Sequence, residues 1–148
     1  MTSESPAGHM TGERTLIVAC GALSRELLQV IEVNNLPGVE IACLPASYHN
    51  TPDKIPDAVA QRVRAAAGLY DTIYVGYADC GTGGRLDAVC EELGVERLPG
   101  AHCYEFFAGQ QTFARLHDAE PGTFYLTDFL VKHFDRLVIK ALWLATHP

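Results

Sequence analysis

The feature that most limits the fold of this sequence is a regular alternation of short apolar runs with amphipathic segments. The apolar runs, which predict strands, occupy residues 15–20, 39–44, 72–77, 95–98 and 123–126. Between and after them, apolar residues recur at helical spacing over residues 24–34, 55–68, 85–93, 104–116 and in a long last segment capped by Thr127 or Asp128. Strands that alternate with helices form right-handed βαβ units. The sequence therefore predicts an α/β fold: a three-layer Rossmann-like domain with a parallel sheet of four to five strands.

Length and charge limit the domain count and the classes of partner. A chain of 148 residues fits one domain, which we assign to residues 14–148 after a polar, flexible leader at residues 1–13. The net charge of −7, with no cluster of Lys and Arg, disfavours binding to nucleic acid or to an anionic membrane. Neither a signal-peptide pattern nor an apolar stretch of about 20 residues is present, so we expect a cytoplasmic protein.

The five cysteines lack the spacing of a secreted disulfide framework, which predicts reduced thiols. Three of them, Cys20, Cys80 and Cys103, lie at or shortly after the ends of predicted strands and before predicted helices. The carboxyl ends of parallel strands meet at one edge of a sheet, where ligands bind, and a helix N-terminus lowers the pKa of a thiol. We therefore predict that these three thiols gather at that edge. Cys43 and Cys90 lie within apolar patterns and are predicted to be core residues.

Other chemically capable residues follow the same strands. Candidates for proton transfer are Asp79, Glu105 and His49, and His102 is a further candidate metal ligand. A glycine-rich turn follows Cys80. In a functional interpretation, the N–H groups of its glycines bind an anion or donate hydrogen bonds to sulfur. In a structural interpretation, the glycines only allow a tight turn between strand and helix. The glycines with this candidate cofactor-binding role are Gly81, Gly83 and Gly84. The aromatic residues near Cys103 are interpreted as core; they are Tyr104, Phe106, Phe107 and Phe113.

Five blocks of sequence together resemble the uncharacterised bacterial and archaeal family called domain of unknown function DUF1638. The blocks are CGAL at residues 20–23, LPASYHN at 44–50, DCGTGG at 79–84, LPGAHCYE at 98–105 and EPGTFYLTDFL at 120–130. The resemblance implies no established reaction. It does imply an association, since members of this family often occur in organisms and gene neighbourhoods rich in corrinoid-dependent methyl transfer. It therefore implies a partner from a methyltransferase system. Family members tend to continue past the final helix, so we expect that a C-terminal element is missing here.

The first functional hypothesis is a metal-dependent enzyme acting on a small-molecule substrate as a lyase, hydrolase or transferase. Thiolates of Cys20, Cys80 and Cys103 would hold a [4Fe–4S] cluster with one iron free for substrate, or would bind Zn²⁺ together with His49 or His102. The two metals remain alternatives, since glycine N–H groups suit a cluster and an imidazole ligand suits zinc.

Two further hypotheses remain open. In one, Cys80 is a thiol nucleophile, with His49 or His102 as base and the N–H groups of Gly83 and Gly84 as an oxyanion hole. In the other, the chain is a non-enzymatic protein that binds or delivers a metal or a corrinoid. A homodimer is compatible with each of these hypotheses.

Overall fold

The computed structural model describes residues 12–142, and in it four parallel strands form one sheet. The strands are β1 Thr15–Cys20, β2 Val39–Leu44, β3 Thr72–Gly76 and β4 Glu96–Arg97, in the spatial order β2-β1-β3-β4. The helices are α1 Ser24–Val33, α2 Ile55–Ala66, α3 Arg85–Leu93, α4 Glu105–Ala108, α5 Gln110–Ala119 and α6 Asp128–Lys132. This arrangement confirms the predicted α/β, Rossmann-like fold with a four-stranded sheet.

The core lies between the sheet and helices α2 and α3. Val18 of β1 lies in register with Ala42 on one side and Val75 on the other, so these three side chains share one face of the sheet. Val59 and Val63, one helical turn apart on α2, are buried in the same cluster. Full burial of a large aliphatic side chain contributes roughly 1.5–3 kcal/mol. This packing fixes the sheet edge from which the loops of the candidate site emerge.

The predicted fifth strand is wrong. Residues 123–126 are irregular, with Phe124 and Leu126 exposed. The ring of Tyr125 lies 4.9 Å, centroid to centroid, from that of Phe113 on α5. Because its aromatic side chain packs against a helix, this segment adds no strand to the sheet.

Two predicted helices are shorter than expected. The segment 104–116 is divided into α4 and α5 at Gly109, whose φ of +80° lies outside the helical range. The long final helix is also wrong, because α6 ends at Lys132 and a separate π-helical turn, Asp135–Ile139, follows. Thr127 does cap α6, since its Oγ1 accepts a hydrogen bond of 3.3 Å from the N–H of Leu130.

The two cysteines predicted to be core residues have different outcomes. Cys90 on α3 is buried, as predicted, whereas Cys43 is exposed. Cys43 belongs to β2, an edge strand of the sheet, so its apolar neighbours in sequence do not ensure burial.

Within residues 12–142, no helix combines the length and the apolar character needed to cross a membrane. The predicted leader falls almost wholly outside the described residues.

Candidate functional site

A cavity of about 330 Å³ opens where β1 and β3 end and their loops begin. Cys20, Cys80 and Cys103 line it, and so do His49 and His102. Cys20 is the last residue of β1, and the other four come from the connections that follow β2, β3 and β4; the parallel sheet brings all of these to one edge. The structure thus places the sequence-predicted thiols and imidazoles around one space.

Two of the thiols are in direct contact. The Sγ atoms of Cys80 and Cys103 lie 3.0 Å apart, and both cysteines are free. Backbone hydrogen bonds join their loops, from Asp79 N–H to the carbonyl of Gly100 (3.1 Å) and from Cys80 N–H to that of Ala101 (2.8 Å). These two bonds connect the loop after β3 to the loop after β4, and they bring the thiols together.

Cys80 has an unusual backbone conformation. Its φ of +50° is in the left-handed region, and Gly81 follows with a φ of +83°. A residue with a Cβ in this region costs roughly 1–2 kcal/mol, and such strain is concentrated at functional sites. The turn therefore holds the Cys80 side chain in a position that an unconstrained loop would not favour.

The two thiols in contact have opposite pKa shifts. The hydrogen bond from Cys80, helped by the N–H of Ala78, outweighs burial and lowers the pKa of Cys103. The same hydrogen bond and burial raise the pKa of Cys80. Of the two thiols, Cys103 therefore loses its proton more readily than Cys80.

Cys20 is the third thiol on the cavity, and its environment is different. Its side chain is buried beside Tyr77, and burial raises the pKa of Cys20 to about 11. The hydroxyl of Tyr77 is also buried and has no hydrogen-bond partner within residues 12–142. At neutral pH, Cys20 is therefore a protonated thiol in a largely apolar setting.

The glycine-rich turn is organised by Asp79. Its carboxylate accepts hydrogen bonds from the N–H groups of Gly83 (3.2 Å) and Gly84 (2.9 Å) and from the Thr82 hydroxyl (2.8 Å). Burial raises the pKa of Asp79, but these bonds outweigh burial and the pKa is lowered. The two glycine N–H groups expected to bind an anion or to form an oxyanion hole therefore already have an acceptor. Gly81 lies on the cavity wall.

The loop before Cys103 is organised in the same way by Glu105. Its buried Oε1 accepts hydrogen bonds from the N–H groups of Ala101 (2.8 Å) and His102 (3.2 Å). Gly100, with a φ of +108°, packs so closely that a Cβ there would lie 2.5 Å from Glu105 Oε2. Neither Glu105 nor Asp79 is among the described residues that line the cavity. Both carboxylates are positioned to hold the loops of the two thiols rather than to exchange protons with a bound molecule.

The two histidines flank Tyr104. His49 Nε2 lies 3.5 Å from the Tyr104 hydroxyl, and the ring centroid of His102 lies 6.0 Å from that of Tyr104. Burial, followed by electrostatic repulsion between the two imidazoles, lowers the pKa of His49. His49 is therefore neutral at pH 7 and can accept a proton from a bound molecule.

The rest of the cavity wall is mainly apolar. Its apolar side chains include Leu23, Ile55, Phe129, Leu130 and Leu137. Apolar walls with a few convergent polar groups are typical of sites for small organic molecules. The sequence reasoning missed the contribution of the segment after α5 and assigned Tyr104 only to the core, although its position next to Cys103 was the available signal.

The donor chemistry of the cavity suits a metal, but the present geometry does not form a complete metal site. Among residues 12–142, no group of three or more His, Cys, Asp or Glu side chains could hold a metal ion. Two thiolates on one tetrahedral zinc ion lie about 3.8 Å apart, given a Zn–S bond of about 2.3 Å. The Sγ atoms of Cys80 and Cys103 are closer, at 3.0 Å, than two thiolate ligands of one zinc ion would be.

Comparisons with known proteins identify the family. The curated proteins and the solved structures give no match to this chain. Residues 43–146, which include Cys80, Cys103 and both cavity histidines, match the model of a family described as "Protein of unknown function (DUF1638)". Because the match spans well over half of the chain, this protein belongs to the DUF1638 family.

Proposed function

We propose that this protein is an enzyme that acts on a small organic molecule in the 330 Å³ cavity, with Cys103 as the nucleophile. The observation that carries the proposal is the 3.0 Å contact between the sulfurs of Cys80 and Cys103 in a mainly apolar wall. The thiolate is the form of cysteine that attacks carbon, and a donating neighbour stabilises it. A cytoplasmic location, in which thiols stay reduced, is part of the proposal.

The reaction has two steps, formation of a covalent thioether or thioester intermediate on Cys103 and its hydrolysis. The Cys103 thiolate forms an S–C bond with an electrophilic carbon, and the leaving group departs with the electron pair of the bond that breaks. The leaving group takes the proton of the Cys80 thiol. Water then transfers its hydroxyl to that carbon and its proton to the Cys80 thiolate, and the S–C bond breaks to restore the Cys103 thiolate. His49, which also lines the cavity, would relay this proton from the water to Cys80.

Alkylation with iodoacetamide tests the assignment of the nucleophile. We expect one rapidly reacting thiol at pH 7, which peptide mass spectrometry identifies as Cys103. In Cys103→Ser this rapid reaction disappears. In Cys80→Ala it moves to higher pH, because Cys103 loses its donor. The matched control is Cys43→Ser, which removes an exposed thiol away from the cavity and leaves the rapid reaction unchanged. Rapid labelling that persists in Cys103→Ser contradicts the proposal.

A second candidate function keeps the same thiols as metal ligands. The observation that favours it is that Cys20, Cys80 and Cys103 line one cavity together with two imidazoles. Thiolates and imidazoles are ligands for zinc, and three thiolates suit a [4Fe–4S] cluster with one open iron. In this candidate, Cys80 and Cys103 separate to metal-ligand distance and Cys20 or His102 completes the set.

Metal analysis after anaerobic purification separates the two candidates. A near-stoichiometric metal that is lost equally in Cys20→Ser, Cys80→Ser and Cys103→Ser supports the metal centre, and a broad visible absorption band identifies iron–sulfur rather than zinc. A metal-free chain whose Cys103 reacts rapidly supports the thiol enzyme. Stable capture of a methyltransferase by a metal-loaded chain without turnover would instead support a delivery role.

A further inference from the structure

The cysteines of this chain differ in whether a second sulfur lies within reach. The Sγ atoms of Cys80 and Cys103 are 3.0 Å apart, and the S–S bond of a disulfide is about 2.05 Å long. Joining these two sulfurs therefore needs an approach of about 1 Å. The structure describes all five cysteines, and no sulfur–sulfur hydrogen bond is formed by the other three, which are Cys20, Cys43 and Cys90.

The backbone around Cys80 and Cys103 can accommodate this approach. Cys80 lies in a turn between β3 and α3, and Cys103 lies in a turn between β4 and α4. Neither residue belongs to a helix or a strand, so movement of its side chain breaks no regular hydrogen bond. The hydrogen bond from Cys80 N–H to the carbonyl of Ala101 (2.8 Å) keeps the two turns side by side. The fold thus holds each thiol at a high effective concentration beside the other.

Both thiols can be reached by a small oxidant. Cys80 and Cys103 are half-buried rather than buried, and both line the 330 Å³ cavity. Cys20 lines the same cavity but is buried, and Cys43 is exposed on β2 without a neighbouring sulfur. Access and a partner thiol therefore occur together at Cys80 and Cys103.

From the sulfur contact, the two turns and the access we infer that Cys80 and Cys103 are a reversible redox pair, which a hydroperoxide oxidises to a disulfide. In the first step, the sulfur of one cysteine bonds to the terminal peroxide oxygen and the O–O bond breaks. The products are a sulfenic acid and an alcohol, or water when the oxidant is hydrogen peroxide. In the second step, the other thiol forms the S–S bond, and the sulfenic hydroxyl leaves as water with the proton of that thiol. The two cysteines lose two electrons, and the peroxide gains them.

This oxidation would inactivate the site and would be reversible. Sulfurs joined to each other can neither attack carbon nor bind a metal as thiolates. The inference therefore adds regulation to the proposed function, on which it rests for the activity that is lost. Because the disulfide would lie on the cavity, a dithiol reductant could restore both thiols by exchange. The second thiol also protects the sulfenic acid, since condensation competes with irreversible oxidation to the sulfinic acid.

Treatment of the reduced full chain with hydrogen peroxide, followed by peptide mass spectrometry without reduction, tests the pair. We expect one disulfide, between Cys80 and Cys103, with the mass of two hydrogen atoms lost and with full reversal by dithiothreitol. The control is the same chain unfolded in urea, which should give a mixture of pairings because the contact is absent. Three results in the folded chain overturn the inference: both thiols stay reduced, a different pair of cysteines is joined, or Cys103 becomes a sulfinic acid beside a free Cys80.

Variants show whether the partner thiol is needed. In Cys80→Ala no intramolecular disulfide should form at Cys103, and peroxide should instead convert Cys103 to the sulfinic acid. The matched control is Cys43→Ser, which removes an exposed thiol and should form the Cys80–Cys103 disulfide to the same extent as the wild type. If Cys80→Ala fails to fold, the peptide map of the wild type still decides, because it identifies both partners. As much intramolecular disulfide in folded Cys80→Ala as in the wild type overturns the inference.

Alkylation with iodoacetamide separates this inference from the proposed function. In the wild type, the fraction of chains with the disulfide should equal the fraction that loses rapid alkylation of Cys103. A Cys80–Cys103 disulfide in a protein whose reduced form shows no rapid alkylation leaves the redox pair standing and refutes the thiol enzyme. Rapid alkylation of a protein that forms no disulfide refutes the redox pair alone.

Discussion

Glu105 is the residue whose removal should disturb the thiol site most clearly without touching a thiol. Its Oε1 accepts two backbone hydrogen bonds, 2.8 Å from Ala101 and 3.2 Å from His102, in the loop that leads to Cys103. In Glu105→Ala both N–H groups lose this acceptor. Each hydrogen bond contributes about 0.5–1.5 kcal/mol net, and no penalty for an unsatisfied donor is added, because Ala101 and His102 are exposed residues whose N–H groups can gain water. For two lost bonds we therefore expect a loss of about 1–3 kcal/mol, a large part of a typical stability of about 5–15 kcal/mol.

Urea denaturation measures this loss, and the rate of thiol alkylation measures its effect on the site. Because the loop also carries the backbone partners of Asp79 and Cys80, its release should separate the two sulfurs and slow the rapid reaction of Cys103 at pH 7. Glu91→Ala, which removes an exposed carboxylate on α3, is the matched control and should change stability by less than about 0.5 kcal/mol. If Glu105→Ala unfolds at the wild-type urea concentration and reacts at the wild-type rate, Glu105 does not hold this loop.

Three further predictions concern the same loops. Because burial raises the pKa of Cys20 from 9.0 to about 11, the wild type should lose up to about 2.7 kcal/mol of stability as the pH rises from 9 to 11. The stability of Cys20→Ala should fall correspondingly less over the same pH range. Chemical denaturation of both proteins measures this, and profiles of stability against pH that run parallel would contradict the prediction. Asp79→Asn should lose about 1–2 kcal/mol at neutral pH, because an ionised acceptor is replaced by a neutral amide. Since the pKa of Asp79 is lowered, its contribution is present above the pKa of the unfolded chain and disappears as the pH falls through the native pKa. Acid titration of both proteins by circular dichroism checks the sign. Finally, phenylarsine oxide should bridge Cys80 and Cys103, which mass spectrometry detects as one arsenic per chain, absent from either Ser variant and retained in Cys43→Ser. No adduct in the wild type would show that the thiols do not approach each other.

The fold could be predicted where a pattern was both local and strong. The strands Thr15–Cys20 and Val39–Leu44 and the helix Arg85–Leu93 agree with the prediction in type and bounds. Prediction failed where a contact distant in sequence competes with local preference. Residues 123–126 have the composition of a strand, but Tyr125 packs against Phe113 instead of extending the sheet. A single glycine, Gly109, was enough to divide one amphipathic pattern into two helices.

The candidate site, like the fold, could be predicted from the sequence only in part. Residues that follow the strands of a parallel sheet must lie at one edge, so the sequence alone indicated where Cys20, Cys80 and Cys103 would be. It gave no information on which pair would touch, or on the use of the Asp79 and Glu105 carboxylates within their own loops. Those outcomes depend on hydrogen bonds between loops, such as the one from Cys80 N–H to the carbonyl of Ala101.

The sequence by itself therefore determined the α/β architecture and the sheet edge at which the thiols stand, because apolar periodicity is a local property that each segment carries. Only the tertiary structure decided that the sulfurs of Cys80 and Cys103 are in contact and that Cys20 is buried apart from that contact. The physical reason is that sulfur contacts, burial and cavity walls form between loops distant in sequence, and no single segment encodes the distance between them.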